Sequence, residues 1–209
     1  AYTYDDFGNI ETTTESASNI ATRTTATNYD DITGLYVDSA VNAEGFTDFT
    51  VESYDNRFGQ PTSILDANNQ RTQITYDDLG RIVWQKNPDN TELTVNYQWC
   101  SAAGTDCETN NNELYLETVT ASGQAPVTRY FDIFNRELRN KHIGFDDAPI
   151  YQQFAFNEVG GISSASEPYR SSPNYFTTTE YDSFWRPFKT INPDSDNSYR
   201  EITQFNGSE

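Results

Sequence analysis

An aromatic residue followed by Asp or Asn recurs along this chain, at Tyr4-Asp5, Tyr29-Asp30, Tyr54-Asp55, Tyr76-Asp77, Phe131-Asp132, Phe156-Asn157, Tyr181-Asp182 and Phe205-Asn206. Successive starts lie 25, 25, 22, 55, 25, 25 and 24 residues apart. A fixed period of this size marks a repeat architecture, in which each unit is one supersecondary element that buries its faces only against its neighbours. The gap of 55 spans two periods plus an insertion. Tyr97 stands 21 residues after Tyr76, where a copy is due, but the turn there is replaced by Gln98-Trp99-Cys100.

The best-formed copy runs from Tyr76 to Pro88. Asp77 can accept backbone N–H bonds at the first position of a tight turn, and Gly80, three residues on, can supply the positive φ that closes it. Arg81 to Lys86 then leaves as a strand, since Ile82, Val83 and Trp84 suit a pleated surface. Asn87-Pro88-Asp89-Asn90 turns the chain again. Thr91 to Trp99 returns with Leu93, Val95, Tyr97 and Trp99 on one face and Thr94, Asn96 and Gln98 on the other, the pattern of a half-buried strand. The expected fold is all-β, a succession of antiparallel β-hairpins.

Other copies vary the turn. Asp30 to Gly34 and Asp55 to Gly59 each carry one residue more, which predicts a bulge or a longer loop. Asn135 replaces the glycine after Asp132, and Asn tolerates positive φ. Trp185 stands at that position after Asp182 and would be strained there, so a different turn is expected. The residues expected to build the turns are Tyr76, Asp77, Gly80, Arg81, Asp132, Asn135 and Asp182.

Composition sets the limits. Leu, Ile, Val and Phe together supply only 40 of 209 residues and the net charge is −19, close to the profile of a disordered chain. The 14 Tyr and 3 Trp argue for order, because they recur in register with the turns. A sheet with a wet face and a thin apolar layer follows. The acidity disfavours nucleic acid and anionic membranes as partners, since either needs clustered Lys or Arg. No apolar run approaches the roughly 18 residues of a membrane-spanning helix. The opening Ala1-Tyr2-Thr3-Tyr4 is not a signal peptide. It lies inside a repeat, and the chain lacks Met, so an excised piece of a longer protein is expected. Its stretches are degenerate repeats over 1–50, well-formed repeats over 51–99, an insertion over 100–112 and further repeats over 113–209.

The insertion holds both cysteines. Cys100 and Cys107, with no His nearby, do not make a zinc site. They read either as a disulfide pinching a hairpin loop, which implies an oxidising compartment, or as two unrelated free thiols. No catalytic site, cofactor site or metal site stands out. His142 has no recognisable serine or cysteine partner and reads as a strand-surface residue. No carboxylate pair is set apart for glycoside hydrolysis. Asp194-Ser195-Asp196-Asn197-Ser198 opens like a calcium loop, but Tyr199 and Phe205 stand where an EF-hand needs Gly and Glu, so a solvated turn is expected.

The pattern Tyr-Asp-x-x-Gly-Arg, an apolar strand and then Asn-Pro-Asp, at this period, resembles the Rhs/YD-repeat family. Its members include the B and C components of bacterial insecticidal toxin complexes, polymorphic Rhs toxins and the extracellular region of teneurins. The match is strongest at Tyr76 to Pro88, good at Phe131 to Arg136 and Tyr181 to Pro193, and weak before Val51. The resemblance implies strips of hairpins that spiral into a hollow shell, which in the bacterial members encloses a C-terminal toxic polypeptide. The acidic core segment that closes such shells and frees the cargo has no counterpart here.

Two functions follow. The first is a non-catalytic wall segment of a secreted or cell-surface protein, with neighbouring repeats of the parent chain and an enclosed toxin as partners. The alternative is an extracellular carbohydrate-binding or adhesion module, in which Trp84, Trp99 and Trp185 stack on cell-surface glycans.

Overall fold

The structure, a computed structural model, describes residues 1–193 and 200–202. The chain divides into two compact units, Ala1–Thr94 and Val95–Glu209. Both are all-β, and their described residues hold no helix beyond one 3-10 turn at Thr109–Asn111.

The first unit contains β1 (Tyr2–Tyr4), β2 (Ile10–Ala17), β3 (Ile20–Tyr29), β4 (Val37–Val41), β5 (Thr47–Asp55), β6 (Gln60–Asp66), β7 (Arg71–Tyr76) and β8 (Ile82–Lys86), and the division falls within β9 (Glu92–Trp99). The second contains β10 (Tyr115–Ala121), β11 (Val127–Phe131), β12 (Glu137–Ile143), β13 (Pro149–Phe156), β14 (Ile162–Ser166), β15 (Phe176–Tyr181), β16 (Pro187–Ile191) and β17 (Arg200–Ile202). Within each unit every strand pairs antiparallel with the strands before and after it in sequence. The topology is a meander, as short connections between β-rich segments dictate.

The register slips at the aromatic residue of each described copy, at Tyr4, Tyr29, Tyr54, Tyr76, Phe131, Phe156 and Tyr181. At Tyr4, Tyr76, Phe131, Phe156 and Tyr181 that slip is the bulge of a three-residue hairpin loop, a tight turn followed by one left-handed residue. The opposite ends of the hairpins use the same device. Asn69 (φ 58°), Asn90 (φ 66°) and Asp147 (φ 57°) take the left-handed position there. The longer loops keep positive φ at Gly34 and Gly59, now closed by bonds from Gly34 N to Asp30 O (3.0 Å) and from Gly59 N to Asp55 O (2.8 Å).

Apolar burial is thinner than expected. Among the described residues only Val51, Leu116 and Tyr130 are buried apolar side chains, and the polar Ser63, Glu113, Thr128, Asp132, Arg139 and Ser166 join them. Ile32, Leu79, Phe134, Phe145 and Phe184 are largely exposed. Backbone ladders and capped turns supplement this thin burial, each bond adding a net ~1 kcal/mol.

Candidate functional site

Two assemblies concentrate the polar chemistry. One is the turn, repeated along the chain. The other is a buried cluster beneath the cysteine loop of the second unit.

In the turn at Asp77, Gly80 N donates to Asp77 O (3.1 Å) and Asp77 N to Arg81 O (2.9 Å). One carboxylate oxygen accepts from Leu79 N and Arg81 N, both at 2.9 Å, and the other from Arg81 Nε at 2.7 Å. The turn at Asp132 repeats these bonds with Phe134 N (2.8 Å), Arg136 N (2.9 Å) and Arg136 Nε (2.7 Å). Burial alone would raise both carboxyls, but the backbone and guanidinium donors outweigh it and hold them below the ordinary carboxylate range.

The turn at Asp182 corrects the expectation of a different geometry at Trp185. Trp185 has φ 61°, its N–H donates to Asp182 O (3.0 Å), and Phe184 N, Arg186 N and Arg186 Nε all reach the Asp182 carboxylate within 2.9 Å. The carboxylate and the arginine frame the loop from both ends and hold a bulky residue where sterics alone disfavour it, at a strain of about 1–2 kcal/mol.

Asn157 is the informative exception. The residue four positions on is Gly161, where the turns at Asp77, Asp132 and Asp182 supply arginine, so no guanidinium arrives. Asn157 carries an amide in place of the carboxylate, with Oδ1 accepting from Val159 N (3.1 Å) and Gly161 N (2.7 Å) and Nδ2 buried without a partner. A Cβ on Gly161 would meet the Tyr181 hydroxyl at 2.8 Å and Asn157 Nδ2 at 2.9 Å, so a side chain there would require both to shift.

Contacts between successive turns are a feature the sequence did not reveal. The Tyr54 hydroxyl donates to Val37 O, that of Tyr76 to Pro61 O (2.9 Å) and that of Tyr181 to Ile162 O (2.8 Å). Each acceptor lies just past the preceding turn, so the tyrosine of one copy fastens the exit of the copy before it. The Phe7 ring lies against Gly34, where a Cβ would approach within 2.4 Å, and Phe58 lies against Gly80. Arg57 reaches Asp78 at 2.8 Å. The periodic tyrosine was the available signal, but its hydroxyl partner depends on which strand lies alongside.

In the second unit Cys100 and Cys107 form a disulfide, with Cα atoms 5.5 Å apart. It closes the start of a loop folded over β11 and β12. Arg139, 3% exposed, donates from Nε to Glu113 (2.7 Å) and from Nη2 to the Asp106 carbonyl (2.7 Å), and its Nη1 lies 3.2 Å from Glu108. Its guanidinium sits 4.0 Å above the ring of Tyr130, which has no exposed surface. The Tyr130 hydroxyl and the Lys141 ammonium both donate to Asp106, each at 2.5 Å. Burial, and then the Asp106 carboxylate, push the Tyr130 hydroxyl well above its ordinary range. Burial opposes ionisation of Asp106, but Lys141 and Tyr130 outweigh it and lower its pKa. Glu113 also lies beside the two sulfurs, but these are bonded to each other and its carboxylate is bonded to Arg139.

Beside the loop an open groove of about 710 Å³ runs between Asn110–Asn112 and Phe134, Arg136 and Phe156. Arg136 lies 5.0 Å over both phenylalanine rings and is paired with Asp132, so its charge is engaged within the wall of the groove.

The tryptophans have separate settings. Trp84 donates to Glu92 (3.3 Å), Trp99 meets Tyr115 edge-on at 6.2 Å, and Trp185 is a turn residue. His142 is exposed on β12. Asp89 accepts from Thr91 N (2.9 Å) within its turn. Asp194 to Tyr199 and the copy at Phe205-Asn206 lie outside the described residues.

No family model matches the sequence, and no curated protein matches it. Among solved structures the chain is similar to the crystal structure of TcdB2-TccC3, with a TM-score of 0.61 at 15% identity over 98% of this chain and 13% of that one. It is also similar to the crystal structure of TcdB2-TccC3 without its hypervariable C-terminal region, with a TM-score of 0.47 at 12% identity over 91% of this chain and 13% of that one. This chain thus spans about an eighth of the length of those two chains. The likeness is one of fold, a run of antiparallel hairpins.

Proposed function

We propose that this chain is a wall segment of a hairpin-repeat shell that encloses a polypeptide cargo, a toxin, in a longer secreted or cell-surface protein. It acts by shape, with no active site of its own, and its partners are neighbouring repeats and the enclosed chain. The observation that supports this reading is the pairing of scarce apolar burial with turns that are capped and fastened to one another. A chain with three buried apolar side chains among its described residues is organised as a strip rather than around a core. Such a strip gains stability by adding and stacking units, the logic of a container wall. The fold likeness over nearly the whole chain agrees with it, as does the disulfide, which suits an oxidising compartment.

Protease protection in the parent polypeptide tests the proposal. The region C-terminal to the repeats should resist digestion in the native protein and become sensitive only under conditions that unfold the repeats. Immediate digestion of that region while the repeats stay intact would refute enclosure.

A further inference from the structure

The loop closed by Cys100–Cys107 does more than bridge two strands. The largest buried polar assembly among the described residues lies beneath it, and the loop itself supplies part of that assembly. Asp106 gives its carbonyl to Arg139 and its carboxylate to Tyr130 and Lys141. Glu108 adds an oxygen 3.2 Å from Arg139, and its N–H donates to Glu113 at 2.6 Å. The side chains of Arg139 and Glu113 are 4% and 0% exposed. A buried ion pair is held only while all its further hydrogen bonds are made, because desolvation otherwise outweighs the mutual attraction. Those further bonds come from residues 106 and 108, on either side of Cys107. The loop's other bonds lie near its start: Cys100 N donates to Leu114 O and Ala102 N to Trp99 O, both at 2.9 Å, Thr105 Oγ1 bonds to Cys100 O and Ala102 O, both at 3.1 Å, and residues 101–104 are exposed.

From this geometry we infer that the Cys100–Cys107 disulfide is a redox latch: oxidised, it holds Asp106 and Glu108 as a seal over the Arg139–Glu113 pair, and thiol reduction releases the seal and loosens β11–β12. The chemistry is thiol–disulfide exchange. One thiolate of a dithiol reductant attacks a cysteine sulfur, the S–S bond breaks and the other cysteine leaves as thiolate. The reductant's second thiolate then attacks the reductant sulfur of the resulting mixed disulfide, that S–S bond breaks and the remaining cysteine leaves as thiolate. Two electrons and two protons pass to Cys100 and Cys107, and the reductant ends as its own cyclic disulfide. Freed, the 100–107 segment regains the entropy that the crosslink removed, water reaches the ion pair, and the pair loses the partners that offset its desolvation. A chain moving from an oxidising to a thiol-rich compartment would open here while the capped turns, which contain no sulfur, stay closed.

Amide hydrogen exchange of the whole chain, with and without a dithiol reductant, tests this independently of whether the chain is a container wall. Complete reduction is verified by the mass of the alkylated cysteines. Exchange in β11 and β12 should rise at least tenfold on reduction, while β5 to β8 stay unchanged and serve as the internal control. The double variant Cys100→Ser/Cys107→Ser should show the raised exchange without reductant and no further response to it. Unchanged protection of β11–β12 after verified reduction overturns the latch, as does equal loss of protection in β5 to β8, which would mean global unfolding. If the double variant fails to fold, the wild-type comparison decides alone.

Discussion

The hairpins β2–β3 and β11–β12 are both antiparallel, but the first is dominated by Thr and the second mixes apolar, aromatic and charged residues, and their environments differ sharply. In β2–β3 no residue is buried, and its threonines bond to each other across the strands, as Thr14 does to Thr24 at 3.0 Å. In β11–β12, Thr128, Tyr130 and Arg139 are buried. The strands supply part of the difference, since β11–β12 offers Tyr130 and Leu138 where β2–β3 offers mostly Thr. The loop from Cys100 to Glu113 adds the rest by covering one hairpin with carboxylates that match Arg139 and Lys141. An insertion in a repeat chain can thus create a local core that the repeat itself lacks, and this core is polar.

The largest test of that contrast is Arg139→Met. It leaves Glu113 buried and uncompensated and should cost about 3–5 kcal/mol, whereas Arg23→Met on exposed β3 should change stability by less than about 0.5 kcal/mol. Urea unfolding of both variants measures the gap, and equal effects would break the comparison. Next come the turns. Gly34→Ala and Gly45→Ala both place a side chain at positive φ, but only the first drives a Cβ into a ring, that of Phe7, while Gly45 faces open space. Gly34→Ala should therefore destabilise by about 2–3 kcal/mol and Gly45→Ala by about 1 kcal/mol. Asp132→Ala removes charge-assisted bonds from a buried position and should cost on the order of 2 kcal/mol. Trp185→Gly should stabilise by about 1 kcal/mol through relief of the left-handed strain, and a loss of stability would mean that the indole contributes more than its conformation costs.

The smallest effect per group is acid sensitivity. Asp77, Asp132 and Asp182 have folded pKa values below their unfolded values. The stability they contribute is therefore present above the unfolded value near 3.9 and is lost as pH falls through the folded values. The melting temperature should stay level between roughly pH 8 and 5 and fall below roughly pH 4. A melting temperature that rises with acid over that lower window would contradict the assigned bonds.

Much of this architecture was legible in the sequence because the information is local. The bonds of Asp77 span four residues, so spacing alone exposed the turn, the role of Gly80 and the tolerance for Asn135. Trp185 was misread because an intrinsic backbone preference was given more weight than the frame that Asp182 and Arg186 impose. The left-handed Asn69, Asn90 and Asp147 went unrecognised because Gly was taken as the marker of the turn, although Asn and Asp reach the same conformation. The buried cluster could not be read at all. Asp106, Glu113, Tyr130 and Arg139 come from separate segments, and the available hint was charge at strand positions such as Arg139, where an inward residue is ordinarily apolar.

The meander has a kinetic consequence. Because each strand bonds to its sequence neighbours, nearly all loop-closure entropy is met in short steps, and contact order is low for an all-β chain. Hairpins can form in the order in which they leave the ribosome, each templating the next, without waiting for a distant partner strand. The same locality lets a chain of this kind be threaded, pulled or unravelled from one end a hairpin at a time, with resistance set by the single turn then under load.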